Sequence, residues 1–240
     1  MYDELLPHFS SSLFNVGCDE TFDLGYGRSK KYCEAKGKGR VYLEFLNKIY
    51  SLVTERDRKM MYWGDIALHY PELMGKLPED AILLDWGYDY NHPFDKHGAL
   101  LSGAGLPFYV CPGASNWGSI SGRTDNALAN ISSAAKNGHK YGAIGLLNTS
   151  WGDHGHWDPL PISLFGFMAG AMASWNAKTD IKKGISNQLS LHAFEDHSMI
   201  TGKVLYELGR MYKCFKNQAV NSLIPWHMLF AEFDNMHVIN

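Results

Sequence analysis

The 240-residue sequence predicts an α/β protein whose parallel sheet is covered by helices on both faces. Short apolar runs rich in β-branched and aromatic residues recur along it, each ending in Gly, Asp or Trp and each followed by a polar loop and a helix-like stretch. The runs Ile82-Leu-Leu84 and Ala143-Ile-Gly-Leu-Leu147 are apolar throughout, as strands buried on both faces require.

Taken in order, strands are expected at Leu13–Asp19, Met60–Asp65, Ala81–Trp86, Pro107–Cys111 and Gly142–Thr149. Helical patterns fall between and after them, at Arg40–Arg56, Pro93–Ser102, Thr124–Asn137 and Pro161–Asn176, with Asp125 or Thr124 as the N-cap of the third. From there on the pattern is helical only, over Asp180–Asp196, Thr201–Lys216 and Leu223–Phe233. A (β/α)8 barrel needs eight strands, and five are legible. Either the sheet is open or the sequence enters a barrel partway; the helix-like Asp3–Phe9, running straight into a strand, favours the second. Residues 1–178 are therefore expected to be the C-terminal portion of a barrel, and 179–240 an incomplete helical extension.

At 45% hydrophobic and 13% aromatic residues, the composition supports a well-buried core and gives no sign of disorder. A formal charge of −3 provides no broad basic field, so nucleic acid and anionic membrane are not expected partners, and a neutral ligand fits better. No apolar run reaches a transmembrane length, and Asp3 and Glu4 stand where a signal peptide would be basic and apolar. The cysteines Cys18, Cys33, Cys111 and Cys214 show no CxxC spacing, so free thiols are expected. The sequons at Asn130 and Asn148 carry little weight, the second lying in a strand-like apolar run.

The predicted strand ends share a chemistry. Indole and carboxylate recur across Asp19-Glu20, Trp63-Gly-Asp65, Asp85-Trp86-Gly87, Cys111-Pro-Gly leading to Asn116-Trp117, and Trp151-Gly-Asp153. In a parallel barrel such ends converge on the face where active sites are built. Aromatic faces pack against the C–H patches of a pyranose, and carboxylates accept hydrogen bonds from its hydroxyls. One such tryptophan is more often packing, and one such acid a capping or solvated group; four tryptophans at four strand ends point to sugar. Asp153, His154 and His156 form an Asp-His-x-His cluster without a third ligand at metal spacing, and loop histidines bonded locally are the plainer account. Gly37-Lys-Gly39-Arg40 lacks a phosphate-loop pattern, and no serine-elbow or HExxH motif occurs. No metal or cofactor is expected.

These residues resemble the family 20 glycoside hydrolases, the β-N-acetylhexosaminidases. Asn15-Val-Gly17-Cys18-Asp19-Glu20 is similar to that family's hydrophobic-Gly-Gly-Asp-Glu signature at the end of the fourth barrel strand, with Cys18 in place of the second glycine. Trp63 and Trp86 resemble its fifth- and sixth-strand tryptophans, and Trp151-Gly-Asp153 its eighth-strand Trp-Gly-Glu, with Asp for Glu. The resemblance spans about residues 1–176 and implies barrel strands four to eight.

It also implies a retaining, substrate-assisted reaction on a terminal β-linked N-acetylhexosamine of an oligosaccharide or glycoconjugate, in which the sugar's own acetamide is the nucleophile. Glu20 would be general acid and then base, and Asp19 would hold the acetamido N–H and stabilise an oxazolinium. Two adjacent carboxylates with these tasks must titrate apart, as a coupled pair. Trp63, Trp86 and Trp151 would wall the sugar, with Trp117 a further wall, and Asp153 would accept from its outer hydroxyls. The seventh-strand tyrosine is poorly matched, since Tyr109 lies upstream of Cys111-Pro-Gly, and the donor to the acetamide carbonyl stays open. The family's first-strand arginine and the histidine before its fourth strand have no counterpart, so a five-strand sheet alone is expected to be unstable and inactive. Two other readings stand beside this one: a barrel glycosidase pairing Glu20 with Asp65 or Asp153, and a sugar-binding protein without activity.

Overall fold

A computed structural model describes residues 1–216, 221–222 and 224–230. In chain order the elements are α1 (Tyr2–Leu5), β1 (Leu13–Asn15), α2 (Lys30–Lys36), α3 (Lys38–Thr54), β2 (Lys59–Trp63), α4 (Asp65–Leu68), β3 (Ile82–Trp86), α5 (Phe94–Gly103), β4 (Phe108–Cys111), α6 (Thr124–Tyr141), β5 (Gly145–Leu146), α7 (Leu160–Trp175), α8 (Ile185–Phe194), α9 (Thr201–Leu208) and α10 (Ile224–Phe230). The strands form one all-parallel sheet in the order β1-β2-β3-β4-β5. The α/β class with a parallel sheet is thus what the apolar rhythm predicts. No helix among the described residues is long and apolar enough to cross a membrane.

The residues group into two compact units, one of Met1–Trp86, Pro93–Val110 and Lys140–Gly145, the other of Gly87–His92, Cys111–His139 and the residues from Leu146 on. In the first unit the central strands are buried almost end to end, with Met60, Tyr62, Leu83 and Leu84 at most 1% exposed. α3 covers them with Gly39, Tyr42, Leu43, Leu46 and Val53, a stripe at helical spacing. In the second unit, Ala127, Leu128, Ile131 and Ala135 of α6 pack with Phe165, Ala169 and Ala173 of α7 and Ile185 and Leu189 of α8. Those four-residue steps place one side of each helix on a shared core.

Several boundaries differ from expectation. β1 ends at Asn15 rather than Asp19 because Gly17 and Cys18 turn left-handed, at φ of 76° and 72°, and an extended chain cannot continue through them. Asp19 and Glu20 therefore sit in the turn after the strand. β5 shrinks from eight residues to two, and Ile144 and Leu147, expected inside, are 55% and 38% exposed: the strand stands at the end of the sheet order, with one neighbour. α6 runs four residues past Asn137, its last turn tied down where Lys140 and the Tyr141 hydroxyl both bond Asp95 of α5. Thr124 and Asp125 lie inside its first turn instead of capping it. In the tail, α8 starts only after the left-handed Gly184 and α9 stops before Gly209, with a 3-10 turn at Met211–Cys214. Leu223 and residues 231–233 of the last expected helix lie outside the described residues.

Candidate functional site

The first unit carries the Asp19–Glu20 turn. Asn15 Oδ1 accepts the Gly17 N–H at 3.0 Å, while Val16 N–H bonds Met61 C=O (2.9 Å) and Trp63 N–H bonds Gly17 C=O (3.0 Å), so the turn is stitched to β2 up to the residue before Cys18. Three of the next residues matter most: Gly17, Cys18 and Glu20 all have positive φ, Glu20 at 47°. For the two that are not glycine this costs about 1–2 kcal/mol each, so something must hold them. The Tyr42 hydroxyl of α3 donates to Cys18 C=O at 2.9 Å. Burial pushes that phenol's pKa upward, so it stays a donor through the physiological range. Asp65 Oδ2 accepts the Glu20 N–H at 3.0 Å.

Asp65 does a second thing. Its other oxygen, Oδ1, accepts the Trp86 indole N–H at 3.3 Å, so one carboxylate joins the Asp19–Glu20 turn to the end of β3. Trp63, two residues before Asp65, is 8% exposed at the end of β2. Glu20 is exposed and Asp19 half-buried, with the Asp19 carboxylate folded back over Gly17, where a methyl group would stand 3.7 Å from Oδ1. Burial, and after it the Asp19 carboxylate, pushes the Cys18 thiol up to about 11. Asp85, which the sequence offers beside Trp86, is fully buried and lies 2.8 Å from His97 Nδ1 of α5; alternate residues of a strand face opposite ways. The first unit therefore brings together Asp19, Glu20, Trp63, Trp86 and Asp65.

The second unit holds Trp117, Trp151 and Asp153. Trp117 is 1% exposed, and its indole N–H donates to Asn221 Oδ1 at 3.0 Å. Tyr88, which sequence reasoning passed over, stands between the indoles, edge-on to Trp117 at 5.0 Å and tilted against Trp151 at 6.3 Å. Burial raises its phenol pKa, opposed in part by the neighbouring Trp151 and Thr149 side chains, and the Asp153 charge adds to the rise. Asp153 itself is exposed, in a 3-10 turn over Asp153–Gly155.

What places Tyr88 is a pair of asparagines one turn apart on α6. Asn130 donates to the carbonyls of Gly87 and Asp89 (both 2.9 Å) and accepts the Gly113 N–H (3.0 Å). Asn126 donates to Tyr88 C=O and Ser115 Oγ (both 2.7 Å) and accepts the Tyr90 N–H (2.8 Å). Both are buried, so the Asn130 sequon serves packing; that of Asn148 likewise spends its amide on Gly166 C=O. The signal available in the sequence was two polar residues four apart on an otherwise apolar helix face. A second network fastens the segment before Trp117: buried Asn116 donates to Asp158 Oδ2 (2.9 Å) and Ser163 Oγ (3.0 Å) and accepts from Ser150 Oγ (3.0 Å). His156, which the Asp-His-x-His pattern offered as a ligand, lies 3.3 Å from Asp158 Oδ1 instead; the side chain of His154 lies outside the described residues.

No protein-family model and no curated protein matches this chain.

Proposed function

We propose that the protein is a glycoside hydrolase that releases terminal β-linked N-acetylhexosamine with retention of configuration, its five strands forming part of a (β/α)8 barrel. The observation that carries this reading is the Asp19–Glu20 turn: two adjacent acids just past a parallel strand's C-terminal end, with left-handed backbone at Cys18 and at Glu20 itself, beside Trp63 and Trp86. Backbone strain held in place by surrounding structure is a mark of functional sites, and C-terminal strand ends are where barrels place their chemistry.

In this reading Glu20 gives its proton to the glycosidic oxygen as the bond to the anomeric carbon breaks, and the substrate's acetamide oxygen closes onto that carbon to form an oxazolinium. Asp19 accepts the acetamido N–H, aligning the carbonyl and offsetting the positive charge. Glu20, now a carboxylate, takes a proton from water as the water attacks the anomeric carbon and reopens the ring. Substrate assistance suits this turn better than a separated pair of Glu20 and Asp65, because both Asp65 oxygens already accept N–H groups.

Hydrolysis of an aryl N-acetyl-β-glucosaminide or galactosaminide tests the reading. Glu20→Gln and Asp19→Asn should each cost about 100- to 10,000-fold in turnover, the usual worth of a general acid–base group. A thiazoline analogue of the oxazolinium should inhibit. Turnover that survives either substitution, or a trapped enzyme ester, sinks the reading.

A further inference from the structure

Left-handed backbone at Cys18 and Glu20 leaves the direction of the Glu20 side chain dependent on whatever holds its amide. Among the contacts described, Asn15 fixes Gly17 and Tyr42 fixes Cys18, and Asp65 fixes Glu20. Asp65 alone of the three also reaches an aromatic side chain of the proposed sugar site, the Trp86 indole. A carboxylate has acceptors only, so two N–H groups can each meet one of its oxygens; a carboxamide has a single acceptor oxygen and would set an N–H against the other donor. Asp65 is also fixed at its own backbone, as the first residue of α4 directly after β2, where Gly64 N–H bonds Leu84 C=O at 2.9 Å.

We infer that Asp65 is a positioning residue for the reaction proposed above, one carboxylate that sets both the backbone direction of Glu20 and the tilt of the Trp86 ring. This rests on that reading for its kinetic consequence, but not for its structural content. It assigns Asp65 no covalent step. The two arms act on different quantities: a Glu20 that points wrongly slows proton transfer and lowers kcat, while a Trp86 that tilts wrongly weakens sugar stacking and raises KM.

The test is Asp65→Asn in the full chain, with Trp86→Phe and the double variant. Asp65→Asn should lower kcat about tenfold or more, the worth of one charge-assisted hydrogen bond, and raise KM severalfold. In the Trp86→Phe background the KM effect of Asp65→Asn should vanish while the kcat effect persists. A merely structural aspartate would lower the melting temperature and leave this split absent, which overturns the inference. A nucleophilic aspartate would show a far larger loss rescued by added azide or formate, which also overturns it. Two readouts need no substrate: in Asp65→Asn the Trp86 indole N–H resonance should move, and the Glu20 amide should exchange about tenfold faster. If the wild-type protein, assayed with its barrel complete, hydrolyses no N-acetylhexosaminide, the functional reading falls, and these two signals still decide the positioning claim; both unmoved would overturn it. Should Asp65→Asn fail to fold, Asp65→Glu, which keeps two acceptors one methylene further out, carries the same measurements.

Discussion

Replacing Asn130 by alanine should lower the melting temperature by about 7–14 °C. The substitution removes three hydrogen bonds made by one fully buried amide, to Gly87 C=O, Asp89 C=O and Gly113 N–H. The Gly113 N–H, itself buried, would be left facing nothing, at a cost of about 1–3 kcal/mol. The two carbonyls lose a donor but keep other lone pairs, adding about 0.5–1 kcal/mol each. The sum centres near about 3.5 kcal/mol, and for a chain of this size about 2–4 °C accompany each kcal/mol. Scanning calorimetry measures the shift, with Asn137→Ala as the control: among the described residues that amide bonds only Ser133 of its own helix, and the variant should melt within about 1 °C of wild type. Near-ultraviolet circular dichroism should change only in Asn130→Ala, because the segment it releases carries Tyr88, packed against Trp117 and Trp151. Asn130→Asp should be no better than alanine, since a carboxylate has no N–H for the two carbonyls. A melting temperature within about 2 °C of wild type in either variant would refute the clamp.

Two further outcomes concern the acid turn and the second unit. Cys18→Gly should raise the melting temperature by about 2–4 °C, because glycine adopts φ of 72° without the roughly 1 kcal/mol that a side chain costs there; a fall of more than a degree would mean that the half-buried thiol matters more than the strain. Asp125 titrates below an ordinary aspartate: burial opposes its charge, but hydrogen bonds from Lys213, Arg210 and Tyr206 outweigh that. A carboxyl depressed in the folded state contributes stability above its unfolded value near pH 4, lost as pH falls through the lower, folded value. The melting temperature of wild type should therefore drop more steeply than that of Asp125→Asn below about pH 4, and parallel curves would remove the network from the stability account.

How much was legible follows from the range of each interaction. The parallel sheet could be read from periodicity because burial on both faces leaves no polar residue in Ile82-Leu-Leu84, and the acids could be found because they sit where an apolar run ends. What could not be read was any contact between residues distant along the chain. Asp65 offered itself as a strand-end acid, but its role depends on two N–H groups 45 and 21 residues away. Tyr88 looked like loop, and Asn130 like a sequon, because nothing local distinguishes an asparagine that caps carbonyls 41 and 43 residues back from one in water.

By itself, then, the sequence determined the α/β class, the order of its strands and the address of the Asp19–Glu20 pair, all of which follow from local burial pattern and residue type. Only the tertiary structure decided that Glu20 lies in a left-handed turn, that Asp65 ties it to Trp86, that Asp85 turns to His97, and that β5 is two residues long with exposed Ile144 and Leu147 on either side of it. These depend on which donor meets which acceptor, and on how many neighbours a strand has, and neither is set until the whole chain has packed.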